Sequence, residues 1–112
     1  MLDGSIPPEL GNLSNLEGLQ LSGNQLSGEI PIELGNLVIL RSLEAWSNQL
    51  SGALPTTLGS LTQLEWLDVS NNQLTGMIPP ELGNLANLRG LNLGDNQLTG
   101  PIPAELKILS KY

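Results

Sequence analysis

Few side chains in this 112-residue chain could do chemistry, and their types narrow the options quickly. His and Cys are both absent. That removes the usual general base, the commonest metal ligand, thiolate nucleophiles, disulfides and Cys-held zinc. No Gly-rich loop ends in Lys-Ser/Thr, so there is no phosphate cradle of that type. What remains is mostly carboxylate: 11 Asp and Glu against 4 Lys and Arg, a formal net charge of −7. The only cations are Arg41, Arg89, Lys107 and Lys111. A phosphate-binding surface cannot be built from so few, which excludes nucleic acid as a partner. Glu44 and Asp68 form the one carboxylate pair brought together by the strand assignment below. Cleaving a glycoside would require a cleft around them, and holding calcium would require further oxygen ligands. Their reading is solvated charge or contact with a cationic partner group. No catalytic residue, metal or cofactor is expected.

The other informative side chains are Trp46 and Trp66, the only two Trp in a chain with one Tyr and no Phe. Exposed indoles commonly anchor bound proteins. Whether they can do so here depends on the elements that carry them. Gly4, Gly28, Gly52, Gly76 and Gly100 stand 24 residues apart. Pro7, Pro31, Pro55, Pro79 and Pro103 keep the same step, and so do Asn24, Asn48, Asn72 and Asn96, each followed by Gln-Leu. A period of this length is the signature of a stacked solenoid. Within one unit, Leu58, Leu61, Leu64 and Leu67 step by three and suit a turn-rich path; Leu67 to Val69 steps by two, the strand period. Four short parallel strands are predicted near 18–22, 42–46, 66–70 and 90–94, each preceded by a Leu-Gly-Asn-Leu-type turn. The 26 leucines then share one aliphatic column. The Asn column is read as a structural ladder, its carboxamides meeting backbone groups where the strands turn inward and also bonding to one another.

The pattern Leu-x-x-Leu-x-x-Leu-x-Leu-x-x-Asn-x-Leu-(Ser/Thr)-Gly-x-Ile-Pro, seen from Leu61 to Pro79, resembles the plant-type leucine-rich repeat. The resemblance runs nearly end to end. It implies an α/β repeat solenoid: a right-handed superhelix with a concave parallel β-sheet and short 3₁₀ or α turns on the convex side. It also implies a second, smaller run of strand at the Leu-(Ser/Thr)-Gly step. Domains of this kind bind proteins, peptides or small signals and are not themselves enzymes. The expected organisation is one domain, 1–112, of about four and a half repeats, partial at both ends. Extracellular relatives usually carry Cys-paired caps, which this chain cannot form. Lys107, Ser110 and Lys111 make a more polar last turn that suits a modest cap.

On such a sheet the leucines point inward and their neighbours outward. The outward columns read Glu17, Arg41, Glu65, Arg89; Gly18, Ser42, Trp66, Gly90; Gln20, Glu44, Asp68, Asn92; Ser22, Trp46, Ser70, Gly94; and Gly23, Ser47, Asn71, Asp95. The first alternates in sign and suits a charge ladder. The candidate binding residues are Trp46, Trp66, Glu44, Asp68, Arg41, Glu65 and Asn92, with a protein or peptide as partner. The alternative is self-association through uncapped ends. An ice- or surface-binding array would need a flat Thr ladder, which these columns lack. Membrane insertion is not expected, since the longest apolar run, Leu37 to Leu40, is far short of the ~20 residues a span requires. Asn12-Leu13-Ser14 is a glycosylation sequon, of consequence only after secretion. The compartment stays open between an extracellular fragment of a larger receptor-like protein and a cysteine-free microbial protein.

Overall fold

A unit of 24 residues is too short to enclose its own leucines, so each coil must be dried by the next. The computed structural model, which describes residues 1–106, meets this demand with coils stacked in register. The polar turn expected at Lys107, Ser110 and Lys111 lies outside the described residues. The strands are β1 (Asp3–Ser5), β2 (Gly18–Gln20), β3 (Gln25–Glu29), β4 (Ser42–Glu44), β5 (Gln49–Ala53), β6 (Trp66–Asp68), β7 (Gln73–Met77), β8 (Gly90–Asn92) and β9 (Gln97–Thr99). Between them lie 3₁₀ turns at Pro8–Asn12, Ile32–Asn36, Thr56–Ser60, Pro80–Asn84 and Ala104–Leu106. Two parallel sheets result, one in the order β2-β4-β6-β8 and one in the order β1-β3-β5-β7-β9. No helix among the described residues is long and apolar enough to cross a membrane.

The strands predicted near 18–22 and its equivalents are three residues long rather than five. The chain nevertheless stays bonded to its neighbour beyond them: Leu21 N–H donates to the Glu44 carbonyl at 2.7 Å and Gly23 N–H to that of Trp46 at 2.9 Å. The second sheet is not the smaller one. It has five strands, three of them five residues long, against four strands of three residues. Its alternation is plain once seen: Gln25, Gln49 and Gln73 face solvent while Leu26, Leu50 and Leu74 are buried. The two sheets also differ in register. On the four-stranded sheet residue i faces i+24, as Leu43 faces Leu67. On the five-stranded sheet it faces i+22, as Gly28 faces Leu50.

The core is a single column of aliphatic residues. Leu34, Leu58 and Leu82 from the 3₁₀ turns meet Leu43 and Leu67 from one sheet and Leu50 and Leu74 from the other, all at 1% exposure or less. Two glycine positions allow the coils this proximity. Gly28 has φ of 78° and its equivalents 74° to 78°, which only glycine adopts at no cost, and it redirects the chain toward Pro31 and the next turn. Gly35 sits so close to the following turn that a Cβ there would lie 2.6 Å from the Thr57 carbonyl oxygen. The column read as Gly23, Ser47, Asn71, Asp95 is a left-handed turn, with φ of 70°, 56°, 55° and 54°. Asn and Asp, with short polar side chains, tolerate that region better than most residues.

The Asn column joins one coil to the next, by a route different from the one expected. Asn72 Oδ1 accepts from Leu50 N–H in the preceding coil at 2.9 Å. Its Nδ2 donates back to that coil at the Ala45 carbonyl (3.0 Å), and within its own coil to the carbonyls of Val69 (3.0 Å) and Ser70 (3.1 Å). Asn48 and Asn96 repeat the scheme, and Asn24 repeats it without a preceding carbonyl to reach. No carboxamide of the column bonds to another, because backbone groups on both sides already saturate each one. Asn72→Leu strands the Leu50 N–H and several carbonyls in a buried site, at a cost of roughly 3 kcal/mol. Asn24→Leu, in a half-buried site, costs less. Urea unfolding of the two variants checks this, and equal losses would refute the bridging role.

Candidate functional site

The outward face of the four-stranded sheet is where variable side chains stand on a rigid support. Alternation places Ser42, Glu44 and Trp46 outward along one coil, and Trp66, Asp68 and Ser70 outward along the next. Pairing puts Ser42 beside Trp66 and Glu44 beside Asp68. The backbone bond from Ser47 N–H to the Ser70 carbonyl, 3.0 Å, carries the same register on to Trp46 and Ser70. The two indoles are therefore on neighbouring coils but four positions apart along the strand direction, roughly 13 Å at ~3.3 Å per residue. They do not stack on each other. They flank the Glu44–Asp68 pair, one on each side.

Both indoles are accessible, Trp46 at 39% and Trp66 at 55% exposure. Trp66 owes its position to the following coil. A Cβ at Gly90 would lie 1.8 Å from Trp66 Cζ3 and 2.0 Å from Cε3, so the indole lies against the bare backbone of Gly90. Trp66, Glu44 and Asp68, with Gly90, Leu91 and Asn92, line a groove of about 270 Å³. The significance of Gly90 was not evident from the sequence, where it is one of several glycines in the outward columns. The available signal was its position directly opposite Trp66 on the next rung.

The acidic row is only partly satisfied by its neighbours. Gln20 Nε2 donates to Glu44 Oε2 at 3.2 Å. Asp68 Oδ1 accepts from Ser70 N–H at 3.0 Å and from Ser70 Oγ at 2.6 Å. Asn92 Oδ1 accepts from Gly94 N–H at 3.1 Å, the same local arrangement one coil on. Among the described residues no cation reaches either carboxylate. Arg41 instead stands at the entry to β4, 4.0 Å from Glu17 Oε1 and 3.9 Å from Glu65 Oε2. These are long contacts between solvent-accessible groups and are worth little to stability. The charge ladder stops there: among the described residues Arg89 makes no ion pair, so one arginine bridges two glutamates and the alternation goes no further. At that entry the Glu17 carbonyl accepts from both Arg41 N–H and Ser42 N–H, and the resulting bend sets Arg41 and Glu65 at the rim of the face. No group of three or more acidic side chains among the described residues could hold a metal ion. Asn12, in the sequon, is exposed at the end of the first 3₁₀ turn.

Comparison with known proteins adds a family context. A family model described as leucine rich repeat matches residues 40–98, more than half of the chain, and a second of the same description matches residues 15–37. No curated protein matches it. Among solved structures, a chain of the BIR3–SERK2 complex from Arabidopsis thaliana is similar with a TM-score of 0.91 at 40% identity, covering 96% of this chain and 58% of that one. A chain from the Arabidopsis receptor kinase HAESA in complex with the peptide hormone IDA and the co-receptor SERK1 gives 0.90 at 45% identity, covering 96% and 18%. A plant ice-binding protein gives 0.85 at 45% identity, covering 94% and 34%. The chain thus spans little more than half of the first and well under half of the other two.

Gly90→Ala tests the seating of Trp66. The added methyl meets the far end of a side chain that can swing away, so unfolding free energy changes by less than about 1 kcal/mol. The indole moves into water, and tryptophan emission shifts to the red. An unchanged spectrum would show that Gly90 does not position the ring.

Proposed function

The chain belongs to the leucine-rich-repeat family, of the plant type, and on that premise we propose that it is a non-enzymatic recognition module. Its ligand is a protein or an extended peptide, bound on the concave four-stranded sheet. The observation that carries this reading is the row in which Trp66 and Trp46 flank Glu44 and Asp68. Buried aromatic anchors bordered by polar groups are what binding hot spots are made of. The backbone beneath is bonded on both sides, so little ordering is needed on binding. Similar structures support the ligand class, one holding a peptide hormone and a co-receptor, another a complex of two proteins. An acidic face favours partners with basic patches.

Self-association has an observation of its own. The first coil carries a recess of about 360 Å³ lined largely by apolar groups, among them Leu2, Ile6, Pro7, Leu10, Leu21 and Leu26. The strand edges of β1 and β2 lie on the same end of the stack. Open edges beside apolar surface favour pairing between chains. Ice binding, the property of one similar protein, finds less support. Rows across the five-stranded sheet mix residue types, Glu29–Ser51–Gln73 in one and Ala53–Thr75–Gln97 in the next, where a regular surface would repeat one.

A library of displayed extended peptides, selected on the full chain and re-tested on the Trp46→Ala/Trp66→Ala double variant, checks the recognition reading. The expected result is capture lost in a variant with unchanged circular dichroism; undiminished capture would remove both indoles from the site. Light scattering over a range of concentrations checks self-association. Mass that grows with concentration supports it, and a monomer at every concentration refutes it.

A further inference from the structure

We propose that the row between the two indoles seats an arginine side chain of the bound segment, its guanidinium lying on Trp66 and bonding to Glu44 and Asp68. This rests on the concave-face reading and adds to it the chemistry of the ligand.

The carboxylates supply the charge complement. Glu44 and Asp68 are register partners on adjacent strands, ~4.8 Å apart in backbone spacing, where like charges repel. Neither is neutralised among the described residues: the ion pairs of Arg41 go to Glu17 and Glu65. Each also keeps an oxygen, Glu44 Oε1 and Asp68 Oδ2, that accepts nothing from the described residues. The groove that both line is walled by Trp66, whose six-membered ring fills the space a side chain at Gly90 would need. An exposed indole beside two anionic acceptors is complementary to a planar cation.

Arginine fits better than lysine on geometry. A guanidinium presents several donors in one plane and can bond to two carboxylates while stacking on a ring; an ammonium is a compact point charge and cannot do both at once. Metal binding is a weaker account, since two carboxylates without further acidic ligands make a poor cation site. The spacing of the indoles, roughly 13 Å, corresponds to about four residues of extended chain. A segment whose arginine stacks on Trp66 would place a side chain about four residues away on Trp46.

The test uses end-blocked hexa-arginine and hexa-lysine, titrated onto the full chain at low salt and followed by tryptophan emission and calorimetry. Hexa-arginine should bind at least about threefold more tightly than hexa-lysine, the margin a stacked guanidinium provides. The Glu44→Gln/Asp68→Asn variant should weaken hexa-arginine by about tenfold. Glu9→Gln/Glu81→Gln, which removes the same charge from the 3₁₀ turns, should change it by less than about twofold. Equal weakening by the two double variants, or equal binding of the two peptides, would overturn the arginine seat. The displayed peptides separate this outcome from the broader reading. Peptides that need Trp46 and Trp66 but bind the Glu44→Gln/Asp68→Asn variant undiminished would overturn the arginine seat and leave concave-face recognition standing.

Discussion

Every part of this structure depends on the close contact of one coil with the next. A single coil has no dry interior of its own; its leucines lose water only because a neighbour lies about one strand spacing away. That proximity explains residues which would otherwise look like arbitrary consensus. Gly35 is bare because the Thr57 carbonyl occupies the space a methyl would need. Asn72 is a carboxamide because it must both accept from the coil before it and donate to carbonyls on either side. Any side chain at position 35 would hold the coils apart, and one at 72 lacking donor or acceptor would leave buried backbone groups unpaired.

The same constraint decides where novelty is allowed. Inward positions must repeat, so they carry no information about a ligand. Outward positions on the four-stranded sheet are free of that demand, and the departures from plain Ser and Gly gather there. Trp66, Glu44, Asp68 and Trp46 occupy two adjacent coils near the middle of the stack, where support comes from both sides. Even there the neighbour intervenes, since the Trp66 ring occupies space that is open only because residue 90 lacks a side chain. Recognition on such a scaffold is a property of pairs of coils more than of single residues.

Much of this was legible in the sequence because repetition converts spacing into contact. The step of two at Leu67 and Val69 locates the strands, and the step of 24 alone pairs Glu44 with Asp68. What stayed hidden had local physical causes. The larger size of the five-stranded sheet was masked by glycines, such as Gly28, that read as turn residues but lie inside its strands. The left-handed turn at the column Gly23, Ser47, Asn71, Asp95 was not legible, since Ser47 gives no sign of positive φ where Gly23 and Asn71 do. The Asn ladder and its backbone partners are legible, but the carboxamides do not bond to one another, because the backbone offers nearer partners than the aligned side chains do. The separation of the two indoles depends on a count of positions along the strand, and adjacency of coils alone does not reveal it.

The unequal registers of the two sheets have a consequence for any longer relative. With a period of 24 and pairing at 22, each new strand on the five-stranded side slips by two residues, roughly 6.6 Å at ~3.3 Å per residue. Residues equivalent in the repeat, such as Gln25, Gln49, Gln73 and Gln97, therefore drift sideways as the stack rises, like treads on a spiral stair. On the four-stranded side adding coils lengthens a straight wall. On the other side it winds a helical stripe whose true neighbours are Glu29, Ser51 and Gln73, residues that no column of the repeat would place together.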